Sequence, residues 1–343
     1  MKFDAALPPV HLKEVAAIAK AVEETGFDAL WTQETQHDPF LPFPLIAEHT
    51  QRLKMGTAIA VSFARSPANL AYTAWDIAAQ SGGRFMLGLG TQVKAHIERR
   101  FGLPWPESVT GKLREQIQAI RAFWDCWQNG TKLNFRGEYY KITLMSPFFN
   151  PGPLDPTPGA SPKGEGGAII PIYIAGVNRG LAQLAGEVCD GFHAHAFHSI
   201  RYMEEVLLPA IEAGAKHAGR AREDCAVSIP AFVATTEEDA NFARAQISFY
   251  ASTRSYRPVM ELHGWGDTAE RLSGHAAKGE WAEMPMLITD EMLEQFCLVT
   301  EEANLASDLK KRYEGIADRL TLYTPFVPGE KDEWWRKLTT FPW

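Results

Sequence analysis

Eight short apolar strands, nearly every one followed by a helical segment, constrain this chain more than any other feature. They begin near residues 2, 27, 54, 84, 171, 190, 227 and 319. A strand, a helix and a second strand in quick succession make a parallel pair, because only a long crossover brings the chain back to the same end of a sheet. Eight such units in 343 residues favour a closed (β/α)8 TIM barrel over an open doubly wound sheet.

The first unit is the clearest. Lys2 to Leu7 reads as strand, and Leu12, Val15, Ile18, Ala19 and Val22 then fall at helical spacing until Gly26. Phe27 to Gln33 is strand again. Two later strands share a small-residue face. Lys54 to Ser62 carries Gly56, Ala58, Ala60 and Ser62 on one side, and GRFMLGLGTQ (83–92) carries Met86, Gly88, Gly90 and Gln92 opposite Phe85, Leu87, Leu89 and Thr91. Glycine weakens a strand and is tolerated where a ligand or another backbone comes close, so this bare face is a candidate ligand floor. Ser66-Pro67 opens a helix as N-cap and first-turn proline, and Thr110 begins another, with Leu113, Ile117, Ile120, Trp124 and Trp127 on its stripe.

Two stretches interrupt the alternation. Residues 131–169 read as an inserted hairpin turning at Arg136-Gly137, followed by a Pro/Gly-rich loop with six prolines and five glycines between Met145 and Gly167, a lid candidate. Residues 237–315 read as helical in pieces. Because βα alternation resumes after each, residues 1–343 are expected to form one barrel domain.

The formal net charge is −8 with Lys and Arg scattered, which argues against a nucleic-acid or anionic-membrane partner and for a small-molecule substrate. Cys126, Cys189, Cys225 and Cys297 lie far apart in apolar sequence and read as buried thiols. No long apolar run and no leader pattern is found, and the expected location is the cytoplasm.

A barrel places its ligands at the C-terminal strand ends, here Gln33-Glu34, Ala60 to Ser62, Gly90 to Gln92, Gly176 to Arg179 and His193 to His198. Gly88-x-Gly90 is a poor dinucleotide fingerprint, since Val93 stands where the third glycine belongs. Gly176-Val177-Asn178-Arg179-Gly180, between strand and helix, offers free N–H groups and a helix dipole to a phosphate, or simply a cap at Asn178. His193, His195 and His198 form HAHxxH. They read as zinc ligands, as a neutral acid, base or donor beside a substrate, or as structural histidines. Lys94, His96, Arg99 and Arg100 form either a solvated helix face or a lure for an anionic ligand.

Taken together, GRFMLGLGTQ after the SFARSP turn, the FxGxYY hairpin, the PIYIAG turn and the CDGF strand opening resemble the bacterial luciferase-like superfamily. Within it they are similar to the branch that uses the deazaflavin coenzyme F420. The resemblance covers about residues 1–240 and the final strand. It implies a ring lying over the ends of the third and fourth strands and a non-prolyl cis peptide at Ala58-Ile59. It further implies that Val61, Gly90, Thr91, Gln92 and His96 line the ring and its chain, and that Val177, Asn178, Arg179 and Gly180, with Gly176, serve the phosphate. Glu34 matches an acidic residue near the cofactor in deazaflavin-dependent sugar-phosphate dehydrogenases. The catalytic histidine and glutamate of those enzymes are replaced by Thr35 and Val93, which argues against that reaction.

The expected function is therefore an F420-dependent oxidoreductase acting on an organic substrate, with Glu34 and His195 as candidate catalytic residues and no metal. Its rivals are an FMN-dependent monooxygenase of the same fold, a hydrolase with a metal at HAHxxH, and a flavin-binding protein without catalysis. The resemblance also implies a homodimer.

Overall fold

The computed structural model describes residues 1–154 and 170–343. The strands are β1 (Lys2–Ala6), β2 (Ala29–Thr32), β3 (Lys54–Thr57), β4 (Phe85–Gly90), β5 (Ile172–Gly176), β6 (Gly191–Ala194), β7 (Ala226–Ala234) and β8 (Arg319–Leu322). Each pairs in parallel with the next, and β8 closes the ring on β1 with Lys2 opposite Arg319 and Phe3 opposite Leu320. The expected (β/α)8 TIM barrel is the observed fold.

The helices that position the rim are α1 (Leu12–Thr25), α2 (Pro42–His49), α3 (Pro67–Gln80), α4 (Lys94–Arg99), α5 (Val109–Asn129) and α6 (Arg179–Val188). α1 buries Val15, Ile18, Ala19 and Val22 against the barrel, at about 1.5–3 kcal/mol for each of the larger side chains. It ends where Gly26 turns left-handed at φ 99°. α3 starts at Ser66, whose hydroxyl accepts from the Asn69 N–H, with Pro67 following. The cap of α5 is Ser108 rather than Thr110, because its hydroxyl reaches the Gly111 N–H.

Phe85, Leu87 and Leu89 face the helices, while Met86 faces the barrel axis with Ala29, Trp31 and Tyr173. The bare faces of β3 and β4 are not empty. A methyl group at Gly56 would meet the Trp31 ring at 2.5 Å, and one at Gly88 would meet the Thr57 carbonyl oxygen at 1.7 Å. Below the rim, then, these glycines make room for protein, and a ligand floor can begin only above Gly88. The interior also holds an ion pair. Asp4 accepts from Arg319 through both carboxylate oxygens at 2.8 Å and from Trp31 Nε1 at 2.8 Å.

Four local expectations need revision. The strand expected over Lys54 to Ser62 stops at Thr57 and resumes as Ala60–Val61, with a cis peptide at Ala58-Ile59 between them. The small-residue face therefore does not run through: Ala58 packs on the interior cluster but Ala60 on the outer one. The sequence from Met203 to Ala218 reads as a helix broken or kinked near Pro209, and the irregularity is a π-helical turn, Met203–Leu207, feeding a helix whose first turn holds the proline. The region 237–315 contains, besides helices, a short strand Cys297–Val299 paired with β7.

The hairpin forms, Phe135–Arg136 against Lys141–Ile142, with the Gly137 N–H donating to the Tyr140 carbonyl at 2.8 Å. Most of the Pro/Gly-rich lid candidate, residues 155–169, lies outside the described residues. All four cysteines are buried and free. Among the described residues no helix is long and apolar enough to cross a membrane.

Candidate active site

Strand register brings the sequence-predicted positions to one stretch of the rim. Val61 lies opposite Gly90, and Gly176 lies opposite Ala194, one residue before His195. Thr91 is buried and donates its hydroxyl to the Gln92 carbonyl at 3.2 Å. Gln92 has φ 59°, one of two non-glycine residues in the left-handed region among the described residues. That conformation costs about 1–2 kcal/mol for an L-residue, and such outliers gather at functional sites. Its side-chain oxygen accepts from the Val93 N–H at 3.2 Å, fixing the edge from which α4 departs.

Glu34 is held rather than free. Its Oε2 accepts from the Val61 N–H at 2.6 Å and from Arg65 Nη1 at 2.6 Å, with the side chain 7% exposed. The Glu34 N–H in turn donates to the Ile59 carbonyl at 3.2 Å. The carboxylate thus braces the backbone that carries Ala58, Ile59 and Val61. Arg65 is steadied by Asp38 at 3.2 Å. From the other side, Gln116 of α5 donates to the Ser62 carbonyl at 3.0 Å and the Arg65 carbonyl at 2.9 Å, and accepts from the Ser62 hydroxyl at 2.6 Å.

In the Gly176–Gly180 turn, Asn178 is the N-cap residue of α6, yet its side chain makes no capping hydrogen bond. The simple capping role is therefore not realised. The first-turn N–H groups at Arg179 and Gly180 have no partner inside the helix, and the dipole adds about half a positive charge there. A side chain at Gly176 would strike Leu181 at 2.7 Å, so glycine is needed for the turn to close this tightly.

The three histidines of HAHxxH go to three different places. His193 lies in the barrel interior, edge-on to Trp31 at 4.8 Å and 5.0 Å from Tyr173, its Nε2 buried without a partner. Burial pushes it down to about 3. His198 is enclosed, with Nδ1 on the His195 carbonyl at 2.9 Å and Nε2 on the Tyr313 hydroxyl at 3.2 Å, and burial lowers it to about 4. His195 stands just past β6, its ring against Tyr250 and Tyr256. Strand alternation in HAHxxH would put His193 and His195 on one face, but β6 ends at Ala194 and the two rings have different neighbours. Among the described residues, the group of ligating side chains close enough to share an ion is His275, Glu280 and Glu283, far along the chain from this motif.

His195 Nδ1 accepts from the Phe197 N–H at 3.0 Å, so the neutral ring carries its proton on Nε2. Burial, and then His198, lowers it to about 4, which makes it a neutral donor near pH 7. In α4, His96 is exposed and Lys94 pairs with Glu98 at 3.7 Å, and Arg100, just past the helix, donates to the Thr35 carbonyl at 3.1 Å. Part of that basic stretch is thus committed to holding α4 against the β2 loop.

The sequence model of the family described as luciferase-like monooxygenase matches residues 2–319, including the 240–315 region in which no motif was legible. An uncharacterized protein of Mycobacterium tuberculosis is 44% identical over 326 residues, 93% of this chain and 92% of that protein. A 5,10-methylenetetrahydromethanopterin reductase of Archaeoglobus fulgidus is 27% identical over 337 residues, 95% and 93% of the two chains. The solved coenzyme F420 dependent tetrahydromethanopterin reductase of Methanopyrus kandleri superposes with a TM-score of 0.78 at 20% identity, covering 99% of this chain and 97% of that one. The chain belongs to the luciferase-like monooxygenase family.

Proposed function

We propose that this protein is a coenzyme F420-dependent oxidoreductase that transfers a hydride between the deazaflavin and an organic substrate. The observation that carries the reading is the uncapped start of α6, on the same rim as the left-handed Gln92. A phosphate-bearing, ring-containing ligand spanning the ends of β3 to β5 fits both. Relatives described as F420-dependent favour deazaflavin over FMN.

In this reading Ala58, Ile59, Val61, Gly90, Thr91 and Gln92 lie along the ring, with His96 beyond it. Gly176, Val177, Asn178, Arg179 and Gly180 hold the phosphate through backbone N–H groups. The coenzyme supplies the hydride chemistry when bound. The chain's part is to orient ring and substrate, exclude water and offer a hydrogen bond. Glu34, occupied by Val61 and Arg65, acts by keeping the ring-side backbone in place, and His195 offers its Nε2–H to the substrate.

The phosphate assignment is tested by comparing F420 with its ring fragment lacking the phosphate. At least a tenfold weaker binding of the fragment is expected, and equal affinities would remove the role given to Gly176–Gly180. The monooxygenase name of the family keeps the FMN alternative in view. Turnover of reduced cofactor that requires oxygen would favour that alternative.

A further inference from the structure

Side chains from distant parts of the chain meet over the end of β6. His195 lies 4.6 Å from the Tyr250 ring, edge-on, and 4.8 Å from Tyr256, and Phe197 lies 6.3 Å from each tyrosine. Tyr250 comes from the helix Glu237–Ala251 and Tyr256 from the turn Arg254–Tyr256.

Hydrogen bonding sorts these groups into engaged and open. Tyr323 donates its one proton to Gln246 Oε1 at 3.0 Å, so in its 2.6 Å contact with Tyr250 it accepts and Tyr250 donates. The Tyr250 proton is therefore committed to Tyr323. By contrast, among the described residues neither His195 Nε2 nor the Tyr256 hydroxyl has a hydrogen-bond partner, and both side chains are half-buried rather than enclosed.

We infer that the His195 Nε2–H and the Tyr256 O–H form a two-donor site for an uncharged substrate, a ketone or aldehyde whose carbonyl oxygen is carried on an apolar body. The assignment rests on the oxidoreductase reading and adds the substrate class. Both groups are neutral donors, since burial lowers His195 and raises Tyr256. The surrounding rings give an apolar wall, and the nearby Arg257 is engaged with Glu261 at 2.9 Å and Glu270 at 3.7 Å. An anion placed here exchanges its hydration for two neutral donors, a poor trade, whereas a carbonyl loses much less on leaving water. Each neutral hydrogen bond then adds about two- to tenfold in affinity.

The test is calorimetric titration of the F420-loaded protein with acetophenone, benzoate and ethylbenzene, for wild type and Tyr256→Phe. Acetophenone is expected to bind at least tenfold more tightly than benzoate. Tyr256→Phe should weaken acetophenone about fivefold while leaving ethylbenzene, which has no acceptor, and F420 itself within twofold. Absent acetophenone binding, benzoate binding as tightly, or an acetophenone affinity unchanged in the variant each overturns the donor pair. Failure of F420 to bind at the loading step overturns the cofactor reading instead, so the two failures are separable.

Discussion

Replacing Gly88 with alanine tests the claim that the bare face of β4 is filled by protein. The new methyl would sit 1.7 Å from the Thr57 carbonyl oxygen, 2.9 Å from its carbon and 3.1 Å from His193 Nε2. A tolerable carbon–oxygen contact is about 3.3 Å, so β3 and β4 would have to part by roughly 1.6 Å. That gap breaks a bracket in which the Thr57 hydroxyl donates to the Gly88 carbonyl at 2.6 Å and accepts from the Gly88 N–H at 2.9 Å. Two buried hydrogen bonds at about 1 kcal/mol each and about 1–3 kcal/mol of overpacking give a loss of roughly 3–5 kcal/mol. Against a typical total stability of about 5–15 kcal/mol this is a large fraction. Urea unfolding followed by tryptophan fluorescence and circular dichroism measures it, with Gly274→Ala as control. Gly274 lies inside the helix Gly266–Lys278 with nothing within 4 Å of its added methyl, and should gain up to about 1 kcal/mol. A Gly88→Ala protein within about 1 kcal/mol of wild type would show that the Thr57 backbone does not fill this face.

The folded barrel holds His193 at about 3 and His195 and His198 at about 4, whereas unfolded histidine titrates near 6.5. Stability is therefore full above about pH 6.5 and falls toward pH 4 by on the order of 1 kcal/mol per pH unit for each, so urea midpoints should drop steeply between pH 7 and 5, less so in His198→Gln; a flat profile contradicts the burial of these rings. Arg319→Met leaves Asp4 charged and unpaired in the barrel interior and should cost about 3–5 kcal/mol, read by chemical unfolding. Pairing it with Asp4→Leu should recover much of that loss, and a double variant as unstable as the single one would contradict the charge argument.

The eight strands were legible because their alternation is local: residues two apart report one face, and glycine and proline mark the ends. What spans the barrel was not. Asp4 and Arg319 are 315 residues apart, and nothing in either neighbourhood announces the other. Gln116 is a polar residue in the apolar stretch of α5, a signal that could have pointed to its clamp on Ser62 and Arg65. Spacing alone gave HAHxxH the look of one constellation, but the end of β6 at Ala194 sends the histidines apart. Tyr256 stayed hidden for the opposite reason. Its segment carries no periodic pattern, and its role depends on a contact with a ring some sixty positions earlier. The glycines of β4 were read as a place of close approach and a ligand floor, and what comes close is protein: the Thr57 backbone at Gly88 and the Ile59 side chain at Gly90.

Fluorescence titration of the protein with coenzyme F420 and, separately, with FMN addresses the central claim most directly. The account predicts saturable binding of F420 at least tenfold tighter than FMN, reduced when Gln92 is replaced by proline, which cannot adopt its left-handed φ of 59°. A clear preference for FMN, or binding of neither, would contradict it.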